Sequence, residues 1–257
     1  MTENLIKSDS LSTETCHQIA ALVDRQQRAN GLLMRAINVV GGQVEDGLRM
    51  LPAGARSQVD AAARRALEAS YQAASRSRSV AGGSDNLHKT LGAITGALGG
   101  LGGLPTALAE LPVATAVIFR AVQGVAAQYG EDPLSEETRA HCLAVFGSGG
   151  PGADDDGVDT SFFGARIGLT GAAVHGVIGK VAPRFATVLT QKLGAQAIPI
   201  LGAAAGAGTN YAFTDFYVEM AHVHFGLRKL VRDHDEDAVL DEFHRALAAV
   251  EVPVKHA

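Results

Sequence analysis

Two long stretches without a charged residue limit what this chain can fold into. The first covers residues 91–109 and contains six glycines, and the second covers the 22 residues 193–214. Each is close to the length of about 20 apolar residues with which a helix crosses a bilayer. Both are diluted by Gly and Ala and interrupted by a proline, Pro105 or Pro199. We therefore favour buried hairpins in a helical core, and insertion into a membrane stays open as the alternative.

The composition favours helices that pack closely. Of 257 residues, 47% are hydrophobic and 19% charged, which is typical of a folded chain. The chain has 30 Gly, no Trp and 5% aromatic residues, whereas strands are enriched in aromatic and β-branched residues. No segment alternates apolar and polar residues as a strand does. We predict an all-α fold, a single multi-helix domain with Gly/Ala-rich central hairpins and an N-terminal helical segment.

Charge and cysteine content exclude several classes of protein. The net charge of −5 leaves no basic stripe to neutralise phosphates, so nucleic acid is not an expected partner. Cys16 and Cys142 are the only cysteines, which indicates neither a disulfide framework nor a cysteine-based zinc site. The first residues carry no apolar run behind a basic end, so we expect no secretory signal and a cytoplasmic protein.

Capping residues place several helix ends. Ser12, Ser135 and Asp235 are predicted to begin helices, and Gly130 and Gly147 to end two others. A helix is expected to follow Pro112, and an amphipathic helix to cover residues 55–74. Two helical segments follow Thr160, and Pro199 breaks the pattern before a final long helix that we expect from about Thr209 to Val231.

The predicted 209–231 helix carries an apolar stripe at helical spacing, made of Phe213, Phe216, Met220, Val223, Leu227 and Leu230. Beside it lie Asp215, Glu219 and His222, at i, i+4 and i+7. Two carboxylates and an imidazole at this spacing could hold a metal ion or transfer a proton. A solvated polar face explains the same pattern and is the favoured interpretation.

A second polar stripe, which we call the polar seam, lies on the other side of the apolar one. It contains Asn210, Tyr217, His224 and Arg228. Arg120 is an added candidate, because it lies among apolar residues in VATAVIFRAVQGVAA and a buried guanidinium needs a carboxylate partner. Asp215 is the favoured partner, which makes it the sixth candidate of the seam, and Glu110 is the alternative. An Arg120 that reaches solvent along an exposed flank stays open as well.

No catalytic motif occurs. The chain lacks the P-loop, nucleophile-elbow and H-E-x-x-H patterns, and its glycine runs do not follow a strand. His141 adjoins Cys142, but sequence neighbours do not share a helix face, so this pair predicts no site. We predict no catalytic residue, no cofactor and no metal beyond the weak Asp215, Glu219 and His222 candidates.

Three blocks resemble the EcsC family in order and spacing. They are GGLGGLPTALAELPVATAVIFRAVQGVAAQYGED, TRAHCLAVFGSGG and TQKLGAQAIPILGAAAGAGTNYAFTDFYVEMAHVHFGLRKL, and the resemblance covers roughly residues 89–231. The most specific positions are Glu110, Leu111, Pro112, Arg120, Gly130, Glu131, Asp132, Asn210, Phe213, Asp215, Met220, Ala221, His224, Phe225 and Arg228. The resemblance implies bacterial intracellular proteins with an apolar helical core and no settled activity. His222 stands where the family has a basic residue, so the family pattern does not support the metal triple.

The resemblance also implies a domain organisation and a range of functions. We expect N-terminal amphipathic helices over 1–80, an EcsC-like helical core over 87–250, an acidic loop over 147–158 and a tail over 251–257. The preferred function is a non-enzymatic scaffold or interaction protein in the cytosol, peripheral at the inner membrane. This location follows from the family's association with a transporter operon, which makes membrane lipid or a membrane transporter component the candidate partner. A lipid- or membrane-inserting protein, and a hydrolase or metal enzyme built on Asp215, His224 and Arg228, stay open.

Overall fold

The protein is built from helices, as predicted. A computed structural model describes residues 11–29, 31, 53–76, 103–148, 171–196 and 202–251. This part contains seven helices and no strand. They are α1 (Thr13–Ala29), α2 (Ala53–Arg76), α3 (Gly103–Gln128), α4 (Glu136–Val145), α5 (Gly171–Gln196), α6 (Gly202–Asp233) and α7 (Glu236–Glu251). Residues 149–158 of the predicted acidic loop, 91–102 of the first uncharged stretch, 197–201 of the second, and 252–257 of the tail lie outside the described residues.

The predicted helix starts are confirmed by side-chain caps. Ser12 Oγ accepts the N–H of Thr15, and Ser135 Oγ accepts the N–H of Thr138, both at 3.1 Å. Asp235 Oδ1 accepts the N–H of Ala238 at 3.0 Å. Each side chain satisfies one of the N–H groups that a helix start leaves without an internal partner.

Two prolines lie inside helices, where we had expected boundaries. Pro112 is within α3 and Pro183 within α5, so α3 does not start after Pro112 and the segments around Pro183 form one helix. A proline cannot donate to the carbonyl four residues earlier. For Pro183 this carbonyl belongs to Gly179, which is exposed, so water can take the place of the lost donor. Pro112 is exposed as well.

Helix α6 begins at Gly202, seven residues before the start that we predicted. Residues 202–208 therefore belong to a helix and not to the turn of a hairpin. Each glycine inside a helix costs about 1 kcal/mol relative to alanine, but the alanines in AAAGA have the highest helix propensity of all residues. This alanine content explains why the glycines do not end the helix.

Helix α6 is the centre of the fold. It packs against α1, α3, α4, α5 and α7, while α2 covers α3 and α5. The apolar stripe predicted on α6 is confirmed, since all six of its residues are buried. Burial also extends around most of the helix between Ala212 and Leu227, because neighbours cover it from several sides.

Helix α1 reaches α6 at a glycine. A Cβ placed on Gly226 would lie 2.5 Å from Leu22 Cδ2, so only a glycine admits the leucine in this position. On the same pair of helices, Arg25 Nη1 lies 3.0 Å from Glu219 Oε2, and Arg28 Nη2 lies 3.9 Å from the same oxygen. The N-terminal helix is thus fixed by close packing and by charge.

Candidate functional site

The main polar cluster lies where α4 meets α6, and the turn after α3 supplies its acidic residue. Gly130 closes α3 with a φ of 80°, a conformation that other residues rarely adopt. The N–H of Glu131 bonds to the carbonyl of Ala126 at 3.1 Å, which fixes the turn. This geometry confirms Gly130 as the end of the helix and places the carboxylate of Glu131 against α6.

Arg228 binds three groups at once. Its Nε lies 2.9 Å from Glu131 Oε1, its Nη1 lies 2.7 Å from His141 Nε2, and its Nη2 contacts Glu137 Oε1. The planar guanidinium carries five donors in a fixed geometry, which suits three acceptors in different directions. The Arg228 side chain is mostly buried and that of Glu131 is 8% exposed, so the pair is shielded from solvent.

Arg232 and Thr138 complete the environment of Glu131. Arg232 Nη1 binds Glu131 Oε1, and Arg232 Nη2 donates to the carbonyl of Tyr129 at 3.1 Å. Thr138 Oγ1 lies 3.4 Å from Glu131 Oε2. Both carboxylate oxygens are therefore used, as a buried carboxylate requires.

The network continues into a pair of buried histidines. His141 Nδ1 lies 3.1 Å from His224 Nε2, and each residue is 1% exposed. Arginine only donates, so His141 Nε2 must accept from Arg228 and the proton of His141 must sit on Nδ1. That N–H then donates to His224 Nε2, which places the proton of His224 on its Nδ1. One permanent charge thus fixes the tautomers of two neutral imidazoles.

The electrostatics agree with neutral rings. The pKa of His141 is lowered from 6.5 to about 4, first by burial and then by the charge of Arg228, while Glu137 opposes the shift. Burial, His141 and Arg228 lower the pKa of His224 well below its ordinary value. Burial and the neighbouring charge of Arg228 both disfavour the protonated, positively charged form of each imidazole.

This cluster, which we call the buried network, consists of Glu131, His141, His224 and Arg228, with the half-exposed Glu137 at its edge. Both nitrogens of His141 and Nε2 of His224 are occupied by protein groups, and neither ring reaches solvent. Cys142, the next residue, is fully buried, and burial raises the pKa of its thiol. A general base must reach the proton it abstracts, so the arrangement is suited to holding α4 on α6 rather than to acting on a substrate.

The polar seam predicted from sequence is only partly reproduced. Of its six candidates, His224 and Arg228 belong to the buried network. Tyr217 lies in an aromatic cluster instead, with its ring centroid 4.8 Å from that of Phe146. Asn210 is buried and Asp215 half-buried on α6, and neither belongs to the network.

The predicted partner of Arg120 is wrong. Its Nη1 donates to Gln123 Oε1 at 3.3 Å and its Nη2 to the carbonyl of Ala73 at 3.1 Å, and Asp215 is not among its contacts. The side chain is half-buried, and burial lowers its pKa. Neutral acceptors suffice here because part of the guanidinium still reaches solvent.

The residues proposed as weak metal ligands contact different parts of the fold. Glu219 faces α1 through Arg25, and His222 Nδ1 lies 3.2 Å from the hydroxyl of Tyr129. His222 is also buried, so the solvated polar face that we favoured is wrong at this position. Among the residues that the structure describes, no three His, Cys, Asp or Glu side chains gather as a metal site requires.

Sequence reasoning missed three members of the buried network. His141 was considered only with Cys142, and Glu137 was not considered as a site residue. Glu131 appeared only within a block of the EcsC resemblance. The available signal was that His141, Glu131 and Arg228 occur in three different blocks of that resemblance, which suggests that they meet in space.

The fold and this network define the class: a helical protein whose central helix is held by a largely buried cluster of charged and imidazole groups. The model of the EcsC protein family matches residues 16–153, and the chain belongs to this family. The match takes in most of α1 and all of α2, α3 and α4, whereas the resemblance we described spans residues 89–231. The division into 1–80 and 87–250 stays a prediction. No curated protein and no solved structure matches the chain.

Proposed function

We propose that this EcsC-family protein is a non-enzymatic scaffold or interaction protein that acts in the cytosol near the membrane. The observation that carries the proposal is the enclosure of the buried network. His141, His224 and Arg228 are the side chains best suited to acid–base chemistry or anion binding, and they bind one another. Side chains that bind one another in this way hold the helices in a rigid arrangement. A scaffold needs such rigidity to present its binding surface to a partner.

The membrane location rests on α3. Its residues Leu111–Gln128 form an 18-residue window with a mean hydropathy of 1.3, and 56% of this window is buried. Arg120 is the only charged residue in the window. Val113 is 54% exposed. An exposed apolar side chain on a helix with a single, half-buried cation suits contact with a lipid surface.

The same window supports the second candidate, a protein that inserts into the membrane. By length and composition α3 is the one helix among the described residues that could span a bilayer. The core helix of a soluble protein has the same length and composition, and more than half of the window is buried here. We therefore rank insertion below peripheral contact.

Fractionation of cells that produce the full chain separates these functions. We expect part of the protein to sediment with membranes and to be released by high salt or alkaline carbonate. Val113→Glu should reduce the sedimenting fraction, because a carboxylate would face the lipid. Val250→Glu is the matched control, since Val250 is 52% exposed on α7, and it should leave the fraction unchanged.

Two outcomes contradict the proposal. If only detergent releases the protein, insertion is the correct function. If no protein sediments with membranes under any condition, the membrane location is wrong. His224→Gln tests the non-enzymatic part, because replacing a buried structural ring should leave the cellular phenotype near normal, whereas loss of the phenotype in a folded variant would show that His224 has a functional role.

A further inference from the structure

Helix α5 forms one wall of an open cleft of about 150 Å³ between α2, α4 and α5. The lining residues that the structure describes are Val174, His175 and Ile178 on α5, Glu68, Tyr71 and Gln72 on α2, and Glu136 on α4. All three lining residues of α5 come before Gly179 in the chain. The part of α5 before Gly179 therefore sets the distance between this wall and α2.

Two glycines in this part of α5 are not required by packing within the described residues. Gly176 and Gly179 are exposed, and a Cβ added to either would meet no atom within 4 Å. Neither has the positive φ of Gly130. Gly226 differs, because a Cβ there would lie 2.5 Å from the side chain of Leu22. Since glycine favours a helix less than alanine does, the two glycines weaken α5 without any gain in packing.

Pro183 weakens the same part of α5 in a second way. It lies inside the helix, four residues after Gly179, and has no N–H to donate to the carbonyl of that residue. Sharp bends in helices occur at prolines and at small, flexible residues. The missing hydrogen bond and the low helix propensity of Gly179 coincide, so residues 179–183 are the segment at which α5 bends most easily.

The helix is held more firmly after this segment than before it. After it, Arg184 Nη1 donates to the carbonyl of Gly147 at 3.2 Å, and the ring centroid of Phe185 lies 5.2 Å from that of Phe146. Before it, His175 is the only polar side chain of residues 174–178, and it forms no hydrogen bond or ion pair in the described part of the chain. The part that lines the cleft is therefore the part that can move.

We propose that α5 bends at residues 179–183 and that its preceding part is a hinged wall of the cleft. Val174 is nine residues before Pro183, about 13 Å along the helix, so a bend of about 20° moves it by roughly 5 Å. Ile178, which is buried, lies next to the hinge and moves least. The bend thus changes the width of the cleft while the core stays packed. This device is additional to the proposed scaffold function and does not depend on it.

NMR relaxation dispersion of the full-length protein tests the proposal, because hinge motions of helices occur on the microsecond-to-millisecond timescale that it detects. Amides of residues 174–182 should exchange with one common rate, and those of residues 185–189 should not exchange. Pro183→Ala supplies the missing N–H and should lower the population of the bent form about tenfold or more. Gly179→Ala should lower it about fivefold, because alanine favours the helical conformation.

Gly208→Ala is the matched control. Gly208 also lies inside a helix, with no atom within 4 Å of an added Cβ, but its helix α6 contains no proline. This variant should leave the exchange in α5 unchanged. The proposal is overturned if α5 shows no exchange, if residues 185–189 exchange equally, or if Pro183→Ala and Gly179→Ala alter the exchange no more than the control does. Pro183 and Gly179 are exposed, so both variants should keep the fold.

Discussion

The buried network and an open cleft between α2, α4 and α5 both include residues of α4. The cleft is lined by Glu68, Tyr71, Glu136 and His175, among others. The two regions contain similar residues in different environments. Each contains two glutamates, at least one histidine and a nearby arginine. In the network the acidic and basic groups bind one another across α4 and α6. In the cleft Glu68 and Glu136 face solvent, and Arg139 lies on the ring of Tyr71.

The difference comes from burial and not from residue type. A charge removed from water must be paired within the protein, whereas a carboxylate at an open cleft keeps its hydration until a ligand replaces it. Glu131 shows the first case, because its side chain is 8% exposed and binds Arg228, whereas Glu136 at the cleft is exposed. The network should therefore contribute more to stability than the carboxylates of the cleft.

The largest effect is expected from removing the charge at the centre of the network. Arg228→Met leaves His141 buried without its donor and removes one of the two arginines that bind Glu131, and we expect the free energy of unfolding in urea to fall by roughly 3–5 kcal/mol. Arg228→Lys keeps the charge but cannot donate hydrogen bonds in the three directions of the guanidinium, so the free energy of unfolding should fall by less than in Arg228→Met. Arg245→Met removes the arginine of a solvent-exposed ion pair and is the control, with no measurable change expected. Equal stability of Arg228→Met and this control would show that the network does not hold the fold.

Acid should weaken the network next most. The pKa of His141 is about 4 in the folded protein and near 6.5 in the unfolded chain, so the folded state binds fewer protons. Its contribution is complete above pH 6.5 and is lost as the pH falls from 6.5 to 4, by roughly 3 kcal/mol. Urea unfolding across this range measures the loss, and His141→Asn should show a shallower dependence on pH. His175→Asn removes an exposed imidazole instead, and if it flattened the curve equally, the buried ring would not be the cause.

The smallest of the three effects concerns the last ring of the network. His224→Leu removes the acceptor for His141 Nδ1, and we expect a loss of roughly 1–3 kcal/mol in the free energy of unfolding. His224→Gln offers an amide oxygen as a replacement acceptor, so its loss should be smaller. Thermal unfolding of both variants provides the measurement. A glutamine variant less stable than the leucine variant would contradict the tautomers assigned here.

Local features of the fold could be predicted from sequence, and long-range pairings could not. Ser12, Ser135 and Asp235 cap helices within a few residues, and the apolar stripe of α6 repeats within one helix, so neighbouring residues suffice to find them. Arg228 and His141 are 87 residues apart, and their contact depends on how α4 crosses α6. Arg120 shows the same limit, because an apolar neighbourhood in sequence did not reveal that its guanidinium reaches the carbonyl of Ala73 on α2.

The attachment of α1 to α6 has a consequence for the order in which the chain folds. Arg25 and Glu219, which are hydrogen-bonded, are 194 residues apart in the sequence. Thr15 Oγ1 lies 3.3 Å from His234 Nε2, and these two residues are 219 positions apart. At a synthesis rate of about 5–20 residues per second, α1 waits about 10–40 s on the ribosome before its partner is made. During that interval Ile19, Leu22 and Val23, which α6 and α7 later help to cover, have no final partner. Helix α1 is thus made well before the helices that bury it, and these apolar residues stay without those partners while the intervening chain is synthesised.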